Sequence, residues 1–182
     1  MKNTIMSIIA VCVMACAATV LATPVAVEWS GSGEKSPTAV ARPFAGFLPD
    51  GRFLVAGGSY FDGDVKKYSA DVNIREQDGT WKRFGEMRRT VAEGVSCVVE
   101  IDKKGFVFCA GGTDGQSAFS DAFALSFSGE IGQPGSTLHT QGLPALPEPV
   151  VMGAAAADGE TVYVVSSSKV FRLRIEIGRA HV

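Results

Sequence analysis

Short apolar runs recur along the chain, and a turn signal splits each pair of them. "FAGFLPDGRFLVAGG" from Phe44 places Asp50-Gly51 between two such runs, and "SADVNIREQDGTWKRF" from Ser69 places Asp78-Gly79 between two more. Asp-Gly flanked by strand-like sequence is a strong short-range hairpin signal. The first unit therefore predicts four strands paired by two tight turns.

The pattern then repeats. In "EGVSCVVEIDKKGFVFCAGG" from Glu93 and "SDAFALSFSGE" from Ser120, Lys104-Gly105 takes the first turn and Ser128-Gly129 the second. Gly105 precedes Gly111 by six residues, as Gly51 precedes Gly57, and the pairs Gly57-Gly58 and Gly111-Gly112 lie 54 residues apart. A third unit, "GAAAADGETVYVVSSSKVFRL", has Asp158-Gly159 as its turn and Ser166-Ser167 where the Gly pair should stand. A four-strand unit of about 50 residues whose second strand ends in Gly-Gly is the period and signature of a kelch-type β-propeller blade. The expected fold is all-β, with about three blades over 37–88, 89–148 and an incomplete 149–175. Small residues open the predicted first strands (Ala45-Gly46, Gly94 with Ser96, Gly153-Ala154-Ala155), as crowding around a central axis requires. "VAVEW", ending at Trp29, reads as an outer strand without its partners. A partial ring leaves a blade edge unpaired at each end, so this stretch alone is expected to aggregate.

Composition narrows the function classes. With 182 residues, 46% apolar and 20% charged, the chain has room for one ordinary domain with a buried core. A net charge of −2 and no long Lys/Arg run set nucleic acid aside. Met1-Lys2, the apolar run from Ile5 to Val20 and "VLA" ending at Ala22 read as a signal peptide over 1–22. A rival reading lipidates Cys16 behind Ala15, which would give the only membrane contact. Both predict export, to the periplasm or beyond the cell. The apolar run falls short of the ~20 residues that a spanning helix needs. At the other end, "EIGRAHV" over 176–182 back-translates to the start of a common sequencing adapter, so the natural reading is expected to break off near Ile175.

"RPFAGFLPDGRFLVAGG", "KKYSADVNIREQDGTWKRFGEM", "AEGVSCVVEIDKKGFVFCAGGTDGQSAFSDAFAL" and "GLPALPEPVVMGAAAADGETVYVV" together resemble the opening half of cyclically permuted members of the N-acetylneuraminate epimerase family. The resemblance covers nearly all of Pro37 to Arg174. It implies a sialic acid mutarotase, built as a six-bladed kelch propeller and exported to the periplasm. Mutarotation moves one proton off the anomeric hydroxyl and another onto the ring oxygen, so it needs a positioned acid/base group and no cofactor. A substrate carboxylate favours Arg, which binds it through two parallel hydrogen bonds. The family's Glu stands directly after the end of a second strand, in a "GE" with Arg a few residues later. The matching positions here are Ser59, Thr113 and near Ser168, so no catalytic residue is assigned and the motif is expected on a blade beyond Ile175. Glu86 of "FGEMRR" matches a different family stretch and reads as structural.

First-strand starts and second-strand ends share one rim of a blade. Substrate-facing candidates on that rim are Arg42, for a carboxylate, Tyr60, for a sugar face, Glu93 and Asp114; the plain alternative is that each is an ordinary rim residue. Cys97 and Cys109 fall symmetrically about Lys103 and so face each other in a hairpin, as free thiols or an oxidised pair. His139 lies alone in a linker and His181 in the suspected adapter, so no metal-ligand cluster is expected. Beside the mutarotase, two classes stay open: a non-catalytic kelch module that binds glycan or protein, and a cell-surface structural protein.

Overall fold

A computed structural model describes residue 28 and residues 34–102, 104–129, 136–167 and 169–175. The leader over 1–22 with Cys16, Trp29, Ser168 and the tail over 176–182 lie outside the described residues. Among the described residues the protein is all-β, without a helix, and each strand pair is antiparallel.

In the first sheet β1 (Phe44–Phe47) pairs with β2 (Phe53–Ala56) around the Asp50-Gly51 turn. The chain then leaves the sheet as a separate hairpin of β3 (Ser59–Asp62) and β4 (Val65–Tyr68). It returns as β5 (Asp71–Arg75) beside β2, and β6 (Trp81–Glu86) completes the order β1-β2-β5-β6. The second sheet is a plain meander of β7 (Val95–Ile101), β8 (Lys104–Ala110), β9 (Ala122–Ser128) and β10 (Thr137–Leu143). The third holds β11 (Ala154–Asp158), β12 (Thr161–Ser166) and β13 (Lys169–Arg174).

Alternation of side chains across each strand makes two apolar layers. Phe44, Leu54 and Val72 of the first sheet pack on Val107, Cys109 and Leu125 of the second. The other face of the second sheet, with Val99 and Phe108, packs on Val162 and Val164 of the third. A sheet buried on both faces cannot alternate apolar with polar, which explains why Val107 to Ala110 are all at most 1% exposed. The initial strands lie side by side, β1 against β7 and β7 against β11. A Cβ on Gly94 would stand 2.3 Å from Phe44 Cε1, and one on Gly46 2.6 Å from Val98 Cγ2, so the small residues answer to real crowding. Ser96 Oγ ties β7 to β1 twice, accepting from the Ala45 N–H at 2.9 Å and donating to its carbonyl at 3.0 Å.

Four expectations are corrected. Ile101 pairs with Lys104, so the β7–β8 turn lies between these two residues, with Asp102 at φ 51°, and Lys104-Gly105 belongs to the strand. Gly105 is instead small for packing, since a Cβ there would meet the Pro49 ring at 2.2 Å. This register sets Cys97 opposite Phe108 and Cys109 opposite Ser96, hence on opposite faces of the sheet. Both are free thiols; burial pushes Cys97 up to about 11 and Cys109 well above its ordinary value. His139 is no linker residue but part of β10, opposite Ser126, with Nε2 2.8 Å from Ser128 Oγ. Finally, Ser166 pairs with Lys169, so the third sheet turns straight from β12 into β13 where the other two send the chain out to the rim.

Candidate functional site at the rim

The first two sheets build the same rim from the same backbone bonds. Ala41 and Ser59 exchange N–H···O=C bonds of 2.7 and 2.9 Å, and Ala92 and Thr113 do so at 2.9 and 2.8 Å. The Gly57 N–H donates to Asp71 O as Gly111 does to Asp121 O, both at 2.9 Å. Gly58 then donates to Val91 O and Gly112 to Val150 O, both at 2.8 Å, so each Gly pair fastens its own sheet to the start of the next. At Gly111, φ is 67° and a Cβ would lie 2.3 Å from Val150 O, a position open to glycine alone.

On this rim three non-glycine residues adopt left-handed backbone at matching places, each two residues ahead of an initial strand. Arg42 has φ 53°, Glu93 63° and Met152 57°. Such angles cost about 1–3 kcal/mol each and persist only where the surroundings impose them. The restraint is a relay from sheet to sheet: Glu93 N–H donates to Arg42 O at 3.0 Å, and Met152 N–H to Glu93 O at 2.7 Å.

The relay brings their side chains together. Arg42 Nη1 lies 3.3 Å from Glu93 Oε1 and 2.8 Å from Met152 Sδ. Lys66, on the β3–β4 hairpin, donates to the same Glu93 oxygen at 2.6 Å, and its ammonium sits 5.2 Å from the centre of the Tyr68 ring. Glu93 is only 8% exposed, yet the Lys66 hydrogen bond outweighs the cost of burial and, with help from Arg42, holds its carboxyl below the usual range. The same bond raises Lys66. Two cations therefore meet one carboxylate, and the Arg42 side chain remains 59% exposed. Chemically the cluster is a net-positive patch suited to an anion.

Of the four sequence candidates, Arg42 and Glu93 are joined. Tyr60 pairs with Lys67 on β3–β4, on the opposite hairpin face from Lys66. Asp114 turns inward on its own loop, where Oδ1 accepts the N–H of Gln116 at 2.9 Å and of Ser117 at 2.8 Å; these bonds hold its carboxyl below the usual range. Glu86 ends β6 and accepts a hydrogen bond from Arg83. Ser59, where the resemblance would place a Glu, is buried, and Thr113 Oγ1 accepts the Gly115 N–H at 3.0 Å. Sequence reasoning missed Lys66, Tyr68 and Met152. Asp62-Gly63 between "SYF" and "VKKY" is the signal that would have found the hairpin carrying the first two.

A cavity of about 340 Å³ lies elsewhere, between the 87–91 linker and the outer strands of the second sheet. At its wall Arg89 pairs with Asp121 and lies 4.1 Å from the centre of the Phe119 ring, and Arg88 lines it as well. The rim, where residues leading into all three sheets meet around one carboxylate, is the better candidate. Among the described residues no three His, Cys, Asp or Glu side chains group as metal ligands. No family model matches the chain, and no curated protein matches it either.

Proposed function

We propose that the chain supplies consecutive blades of a kelch-type β-propeller, in an exported protein that interconverts the anomers of N-acetylneuraminate by cofactor-free acid/base catalysis. The observation that carries the propeller reading is the rim repeated from sheet to sheet, with initial strands packed side by side. The reaction rests on the sequence resemblance, supported by a net-positive rim where Arg42 offers two parallel donors to a substrate carboxylate. Glu93 serves this site as the ionised anchor of the two cations. A group held ionised this firmly is a poor proton donor near neutral pH. The acid/base Glu is proposed to come from the family's motif outside the described residues.

A second reading, a non-catalytic module that binds a glycan or a protein, draws on Ser59 and Thr113 standing where that motif would place Glu. Anomer exchange of N-acetylneuraminate followed by NMR separates the two. Faster exchange with the full-length protein supports the mutarotase; binding without acceleration selects the module.

A further inference from the structure

Between β2 and β5 the chain spends residues 57–70 away from the first sheet and folds most of them into the β3–β4 hairpin. The equivalent connection in the second sheet, residues 111–121, closes through a single Thr113–Ala118 bridge. The hairpin is thus an addition to a shared plan, and additions of this kind on a fixed scaffold are where binding residues concentrate.

Strand alternation divides its side chains between two faces. Tyr60, Asp62, Val65 and Lys67 share one, where Lys67 pairs with Asp62 at 2.5 Å. Ser59, Phe61, Lys66 and Tyr68 share the other. Lys66 decides which face looks onto the rim, because its ammonium reaches Glu93 there. Phe61 lies directly cross-strand from Lys66 on that same face, and it is 70% exposed. A phenyl ring so exposed does little for the hairpin's own packing, yet beside a net-positive patch it offers a flat apolar surface.

Building on the reading above that the rim takes a sugar acid, we propose that Phe61, rather than Tyr60, is the platform for the apolar C–H face of a carboxylate-bearing pyranose whose carboxylate pairs with Arg42. The site then demands both features of its ligand. An uncharged pyranose forgoes the Arg42 contact.

Isothermal titration calorimetry on the full-length protein tests this with N-acetylneuraminate, glucuronate and methyl glucoside. Phe61→Ala weakens both acids about tenfold, Phe61→Trp restores them, and Tyr60→Ala changes them by less than about twofold. Phe61 is largely exposed, so its variants keep the wild-type melting temperature. The platform is overturned if Phe61→Ala binds like wild type, if Tyr60→Ala costs more than Phe61→Ala, if methyl glucoside binds as well as the acids, or if wild type binds neither acid. Tight binding that depends on Phe61 but brings no faster anomer exchange overturns the mutarotase reading and leaves the platform standing.

Discussion

The first and second sheets share a rim and differ in the loops they hang from it. Their Gly pairs make the same bonds to equivalent partners, and their leading residues take the same left-handed backbone. Past the glycines they part: one extends a hairpin that delivers Lys66 and Phe61, the other curls around Asp114 in a turn held by its own amides. Backbone bonds that repeat are indifferent to side chains beyond the need for glycine, so they can be copied while the loops diverge. Chemistry belongs to the part that is not copied.

Breaking the shared part should cost most. Phe44 is 1% exposed and meets Phe123 edge-on at 5.6 Å, so Phe44→Ala should lower stability by about 3–5 kcal/mol in urea unfolding. Next comes a matched pair of glycines. Gly111 and Gly63 have φ 67° and 60°, but a Cβ at Gly111 would strike Val150 O whereas at Gly63 it meets nothing within 4 Å. Gly111→Ala should therefore cost about 2–3 kcal/mol and Gly63→Ala about 1 kcal/mol in the same assay. Ser96→Ala, which removes both bonds to Ala45, should cost about 1–2 kcal/mol.

The smallest effect concerns the hairpin alone. The Glu93 carboxyl is held below its ordinary 4.5 mainly by Lys66, so the tether is complete above that value and fades as pH falls through the lower folded-state value. Protection factors of the amides over residues 59–68, corrected for the intrinsic pH dependence of exchange, should fall in that acid range while those of the second sheet do not. In Glu93→Gln those protection factors should already be low at neutral pH and should not change further in acid.

Much of the strand plan was legible because turn chemistry is local. Asp50-Gly51 and Asp78-Gly79 lie in connections of equal length between paired strands, whereas Asp158 ends β11 and only Gly159 enters the turn that follows it. The misplaced β7–β8 turn shows the limit: Asp102 takes the left-handed position itself, and the nearby glycine answers to Pro49, a contact from another sheet. One residue of slip then moved Cys97 and Cys109 to opposite faces. Site residues before the initial strands were visible by their position, which is how Arg42 and Glu93 were found. Lys66 was not, since its partner lies 27 residues away and only folding brings them together.

The most direct test of a scaffold that repeats and a site that does not is a ¹H–¹⁵N chemical-shift titration of the full-length protein with N-acetylneuraminate. The largest shifts are predicted at Arg42, Phe61, Lys66, Glu93 and Met152, with residues 114–117 nearly still. Shifts of equal size at 114–117, or none along 59–68, would contradict it.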